Sequence, residues 1–153
     1  MVEIRIIPAT KDHAHDLAPR MRKADRDEIM AGSGQLPLQA LLFSIEQSDE
    51  AWTAFIDGRV EVMFGVGTIN MLCSIGAPWL LGSDAIKTNY RAFLRQSVMW
   101  KSHISSRYSE LHNTVDDRNE VSKRWLQWLG FELGPAIDIG NGLHFREFWM
   151  RKM

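Results

Sequence analysis

Cysteine is nearly absent from this sequence. Cys73 stands alone among 153 residues, which excludes an internal disulfide framework and makes a reducing cytosol the expected compartment. No charge of one sign dominates: 18 Lys+Arg face 19 Asp+Glu, a formal net charge of −1, so the basic footprint of a nucleic-acid binder is missing. The longest apolar runs, such as residues 75–81, fall far short of the roughly 20 residues a membrane helix needs. The opening Met1-Val2-Glu3-Ile4-Arg5 goes straight into a strand pattern and carries no secretory h-region. Metal ligands are sparse: His13 and His15 stand two apart, share no helix face and have no evident third ligand, so no metal site is expected. No repeat, low-complexity stretch or long linker divides the chain, and residues 1–153 are expected to form one domain. Large apolar side chains are what it has in plenty. Six Trp, seven Phe and eight Met exceed what a minimal core consumes, which points to a partner surface or a filled cleft.

Residues 2–7 alternate and read as a strand stopped by Pro8. Thr10 can cap the next helix, with His13 at the place where a capping box would want Glu. Leu17, Met21, Ala24 and Ile29 keep helical spacing from Asp12 to Gly32-Ser33-Gly34, and Pro19 demands a kink or a later start. Pro37 opens a shorter helix over 38–47. Residues 51–56 read as a strand, Asp57-Gly58 as a hairpin turn and 59–64 as the returning strand. A buried strand region follows over 71–81, where Pro78 suggests an irregularity or a bulge. Ser83 or Asp84 then caps a long helix to about Arg107. Residues 110–115 read as a strand, 119–129 as a helix closed by Gly130, and strands begin at Phe131 and Leu143. The order β-α-α-β-β-β-α-β-α-β-β predicts an α/β (α+β) mixed sheet with helices on both faces. Within it, residues 77–82 and 110–115 are expected to pair in parallel.

This order, with the segment from Asn119 through Ser122, Trp125, Leu126 and Trp128 to Gly130-Phe131, resembles the GNAT N-acetyltransferase superfamily. In that family an Asn opens the helix after the fifth strand and a Gly-Phe closes it at this spacing. Met21-Arg22, Asp25, Glu28, Pro78-Trp79-Leu80-Leu81-Gly82 and the Trp125 to Phe131 run are similar, more narrowly, to small GNAT-like proteins of tailed bacteriophages, some called acetyltransferases and some internal virion proteins. The resemblance implies one domain whose fourth and fifth strands splay to hold acetyl-CoA. The family sets the pyrophosphate on backbone N–H groups of a Gly-rich loop opening the third helix, as helix N-termini hold anions generally. The matching positions for cofactor binding are Leu81, Ser83, Lys87, Thr88 and Arg91, with Asn113 and Asn119 across the wedge. Thr88 and Tyr90 stand where the family has glycines, and Asp84 adds charge of the wrong sign, while Lys87 and Arg91 can compensate as point charges. Acetyl-CoA is therefore expected to bind weakly or not at all. The competing reading of this stretch is a plain capped helix beginning at Ser83.

Acyl transfer to an amine needs a base, and an acid for the departing thiolate. The family's acid is a Tyr at the place of Leu126, and the fourth strand here contains no Glu. The remaining catalytic candidates are His112, Asp84 and Ser122. His112 is the best of them on titration grounds, and it and Asn113 point to opposite faces of their strand. Asp25, Asp27 and Glu28, among Arg20, Arg22, Lys23 and Arg26, read as a solvated helix face or as acidic recognition of an amine. Two functions follow. The first is a phage protein with a degenerate acetyl-CoA site that binds a host or virion protein, or a second copy of itself, through exposed Trp125 or Trp128, in the host cytoplasm or the virion. The alternative is an active acetyl-CoA-dependent N-acetyltransferase with a remodelled cofactor loop.

Overall fold

The computed structural model describes residues 2–152. Strand β1 (Ile4–Pro8) leads into helix α1 (Lys11–Leu17), a 3-10 turn (Ala18–Arg20) and helix α2 (Lys23–Ser33). Thr10 Oγ1 accepts from the His13 N–H and His13 Nδ1 accepts from the Thr10 N–H, each at 3.2 Å, so histidine completes the capping box. Pro19 lies in the 3-10 turn and separates two helices, where one kinked or late-starting helix was expected. Helix α3 (Pro37–Gln47) and strands β2 (Glu50–Ile56) and β3 (Arg59–Asn70) follow. Asp57 and Gly58 join β2 to β3 with φ of 49° and 82°, the left-handed pair this turn requires.

Strand β3 runs past Phe64, where the alternating pattern stops, and on through two glycines. A Cβ at Gly65 would stand 2.5 Å from the Glu50 carbonyl oxygen, and one at Gly67 would stand 2.6 Å from that of Gln47. These glycines admit another backbone rather than end a strand. Strand β4 (Ile75–Gly82) starts after a turn at residues 71–74. Its ladder to β3 keeps register past Pro78, opposite Val66, so the expected bulge at Pro78 is absent. The long helix divides into α4 (Ala85–Thr88) and α5 (Tyr90–Ser105) at Asn89, whose Nδ2 donates to the Ala85 carbonyl at 2.9 Å. Strand β5 (Glu110–Asp116), helix α6 (Glu120–Leu129) and the hairpin β6 (Glu132–Gly140) and β7 (Leu143–Arg151) complete the chain.

The seven strands form one mixed sheet in the order β1-β2-β3-β4-β5-β7-β6. Every neighbouring pair is antiparallel except β4 and β5. The parallel pairing is as expected in sense but not in extent. It consists of Ile75 opposite Glu110 and Gly76 opposite Leu111, and residues 77–82 lie beyond it. Gly76 is held there by the Tyr108 ring, which a Cβ would meet at 2.9 Å. Helices α1 to α3 cover one face around Leu17, Leu41, Met63 and Leu81. Helices α5 and α6 cover the other, where Val66, Ile104, Leu111, Trp125 and Phe148 share a core. Burial of so much apolar surface, worth roughly 25 cal/mol per Å², is what chiefly holds the helices to the sheet. Among the described residues no helix is long and apolar enough to cross a membrane.

Candidate functional site

Where β4 and β5 part, a cleft of about 300 Å³ passes between them. Its walls come from both faces of the sheet. Ile29, Ala40 and Phe43 belong to the α2–α3 side, and Tyr90, Trp100, Ser122 and Trp125 to the α5–α6 side. An opening through a sheet leaves strand edges bare, so the backbone groups in it need an account.

Strand alternation turns the backbone groups of Gly76, Pro78, Leu80 and Gly82 toward β5. Gly76 meets β5 directly. The Pro78 carbonyl accepts from Asn113 Nδ2 at 2.8 Å, a side-chain rung across the gap. Proline suits this place because its missing N–H costs β3 nothing. At the far end the Gly82 N–H donates to Asp25 Oδ2 at 2.9 Å, and its carbonyl accepts from the Arg22 N–H at 2.8 Å. Leu80 remains. Its N–H and C=O face the opening, and no partner meets them among the described residues.

Helix α2 and its N-cap bring Arg22, Asp25 and Glu28, three residues apart, to the cleft. Asp25 is only 2% exposed and is held by the Arg22 guanidinium, Nη2 to Oδ1 at 2.7 Å, as well as by Gly82. Its charge is spent on joining α2 to β4. Glu28 is half-buried, and its Oε1 accepts from the Asp116 N–H at 2.8 Å. Burial pushes the Glu28 carboxyl up to about 7; the hydrogen bonds from the Asp116 backbone and the Asn119 side chain oppose this, and the Asp25 and Asp116 charges reinforce it. For Asp116 burial also acts upward, but the Arg118 guanidinium, 2.6 Å away, outweighs it and holds that carboxyl below the usual range. One carboxyl in the cleft thus titrates near neutrality beside another that stays ionised.

The connection from β4 to α5 is closed on itself. The Ala85 N–H donates to Ser83 Oγ at 3.1 Å, Ile86 to the Ser83 carbonyl, Lys87 and Thr88 to that of Asp84, and Asn89 to that of Ala85. Five consecutive backbone donors, residues 85 to 89, are therefore engaged within the chain. Ser83 is buried, and its hydroxyl donates to Glu61 Oε2 at 2.9 Å. Lys87, Thr88 and Arg91 are exposed on α4 and the start of α5.

The structure brings together Leu81, Asn113 and Ser122 of the predicted residues, all on the cleft wall. Asn119 is the N-cap of α6, its Oδ1 accepting from the Ser122 N–H at 3.2 Å, and it reaches the same region through Glu28. His112 lies outside the cleft wall, its Nε2 3.6 Å from Glu147 Oε1. Strand alternation gives the opening to Asn113 instead. Asp84 is exposed at the start of α4, also outside the wall. Of the two Trp on α6, Trp125 is buried with Nε1 donating to Ser97 Oγ at 3.2 Å, and Trp128 is 55% exposed. Glu28 was legible only as one acid in a charge run. The signal was its helical spacing from Asp25 on the helix end that borders the cleft.

No protein-family model matches the sequence, and no curated protein does. Solved structures do match its fold. An acetyltransferase of the GNAT family from Streptococcus pneumoniae superimposes with a TM-score of 0.63 at 17% identity, over 97% of this chain and 99% of that one. An N-acetyltransferase from Staphylococcus aureus Mu50 gives 0.66 at 9% identity, over 97% and 98%. The ribosomal L7/L12 alpha-N-protein acetyltransferase in complex with coenzyme A gives 0.70 at 8% identity, over 97% and 93%. At these identities the likeness is one of fold: a seven-stranded mixed sheet with six helices, as in GNAT acetyltransferases.

Proposed function

We propose that the protein is an N-acyltransferase that moves an acyl group from a coenzyme A thioester to an amine through the cleft between β4 and β5. The observation that supports this best is the cleft itself, lined from both faces of the sheet, with Glu28 on its wall and the unpartnered Leu80 backbone in its gap. An acyl thioester supplies an activated carbonyl: transfer forms a C–N bond, breaks the C–S bond and moves one proton from nitrogen to sulfur. Glu28 is the base that takes the proton from nitrogen, its burial having raised it to about 7, where proton transfer near neutral pH is efficient. The Leu80 N–H and C=O offer an extended amide arm the hydrogen bonds a strand would otherwise make. Ser122 supplies a hydroxyl on the α6 wall that can hand a proton to the leaving sulfur. The phosphates find a poorer fit. With the donors of residues 85–89 engaged, they depend on the Lys87 and Arg91 side chains, so acetyl-CoA binding is weak and salt-sensitive. Calorimetric titration with acetyl-CoA, coupled to an assay of free-thiol release in the presence of amines, tests this. Binding and release are expected, and replacing both Lys87 and Arg91 with Ala should weaken binding several-fold, less so at high salt.

The engaged donors also favour a second reading. In it the phosphate site is degenerate and the chain, like the small phage proteins it resembles, acts by binding a host or virion protein. Exposed Trp128 and the exposed β3–β4 turn, where Leu72 is 99% accessible, supply surface for that. No heat of acetyl-CoA binding and no thiol release, with a stable complex recovered from phage-infected cells, would select it.

A further inference from the structure

We propose that the acceptor is a primary amine carried on an uncharged, apolar body, entering between α2 and α3 with its nitrogen toward Glu28. The inference rests on the transfer reading above and specifies the substrate class of that site. From Ile29 to Ile45 the chain has no Asp, Glu, Lys, Arg or His, although 24% of the whole sequence is charged. This uncharged stretch builds the α2–α3 wall of the cleft, through the apolar Ile29, Ala40 and Phe43 and the neutral polar Ser33, Gln35 and Ser44. It also leaves large apolar groups in water: Phe43 is 53% exposed, Leu36 58% and Met30 51%. Singly exposed apolar residues are ordinary, but of these Phe43 stands on the cleft wall itself, and an aromatic ring half in water there gains by being covered.

Charge on this side is correspondingly thin. Asp25 is neutralised by Arg22, and Asp27 is paired with Lys23 at 2.7 Å and is not on the cleft wall. That leaves Glu28 as the acidic group there without a basic side-chain partner among the described residues. A polyamine or an aminoglycoside spreads several positive charges along its length and needs several carboxylates to replace their hydration. One carboxyl beneath an uncharged wall that carries Ile29, Ala40 and Phe43 fits one nitrogen and an uncharged body with an apolar part against Phe43. In the transfer, that nitrogen bonds to the acyl carbon as the C–S bond breaks. Its proton goes to Glu28, and the sulfur is protonated through Ser122 from solvent.

The test is calorimetric binding of 2-phenylethylamine and of spermidine to the wild-type protein, to Phe43→Ala and to Leu72→Ser, with thiol release from acetyl-CoA measured separately. Phenylethylamine should bind about tenfold or more tighter than spermidine, since covering one aromatic group is worth at least that much. Phe43→Ala should remove most of the preference, and Leu72→Ser, at the distant exposed turn, should keep it. Tighter spermidine binding, an unaltered preference in Phe43→Ala, or binding of neither amine overturns the proposal. Preferential phenylethylamine binding without thiol release leaves the ligand class standing and refutes the transfer reading alone.

Discussion

Replacing Glu28 with Gln should make the protein more stable and less active, and the stability gain should depend on pH. Gln keeps an oxygen to accept the Asp116 N–H, which the carboxylate does at 2.8 Å, and removes only the ionisation. Because the carboxyl rises from an ordinary 4.5 to about 7 in the folded chain, the native state holds its proton where the unfolded state has lost it. The stability this provides is complete below about pH 4.5 and disappears as pH rises through about 7. At about 1.4 kcal/mol per pH unit, that interval amounts to roughly 3 kcal/mol. Glu28→Gln does not titrate, so its advantage over wild type should be smallest near pH 5 and grow to roughly 3 kcal/mol by pH 8. For a chain of this size that corresponds to roughly 6–12 °C in Tm. Thermal melts of both proteins across pH 5–8.5 would measure it. Over the same range wild-type kcat/KM should rise through about pH 7, and the variant should lose on the order of 10²–10⁴ in rate. A Tm difference that stays constant with pH would refute the reasoning, because Glu28 would then titrate alike in the folded and unfolded chain.

The two tryptophans of α6 should separate core from surface: Trp125→Ala costs about 3–5 kcal/mol in chemical denaturation, whereas Trp128→Ala stays within about 0.5 kcal/mol. Gly65→Ala should destabilise by about 1–3 kcal/mol, because its Cβ would press on the backbone oxygen of Glu50 rather than on a flexible side chain. A melt of that variant at wild-type Tm would show that the β2–β3 spacing yields more easily than the contact implies.

Much of the fold could be read locally. The Asp57-Gly58 turn, the Thr10 cap and the Asn119 to Gly130 helix each carry their chemistry within a few residues, and each lies where the pattern put it. Failures came where a distant segment decides. The strand read over 59–64 runs on through Gly65 and Gly67, because what these glycines accommodate, the backbone at Gln47 and Glu50, is elsewhere in the sequence. Pro78 read as a defect because nothing local says that its missing donor would face a gap rather than a neighbouring strand. Glu28 shows the same limit at the site. Its neighbours in sequence describe a solvated charged face, whereas its acidity is set by burial and by Asp116, which is 88 residues away. Of the neighbouring pair on β5, Asn113 lines the cleft and His112 lies beside Glu147, a choice of face that alternation alone leaves open.

The short seam between β4 and β5 has a consequence for how the molecule opens. Strands β1 to β4 form one continuous antiparallel ladder, and β5, β7 and β6 form another, with two residue pairs between them. Side-chain packing beneath α5, where Val66 and Leu111 share a cluster, the Asn113–Pro78 rung and the α2 bonds to Gly82 and Asp116 also join the two. In hydrogen exchange each ladder should therefore behave as its own cooperative unit, able to open while most of the other's amides stay protected. A molecule lodged in the gap alters that relation, since it bonds to one ladder while packing on the other and binds neither when they are apart. Its free energy, RT ln(1 + [L]/Kd), then falls on both units at once. Protection factors on the two sides of the seam should rise together as the ligand is added, and the backbone amide of Leu80 should be the first to record its arrival.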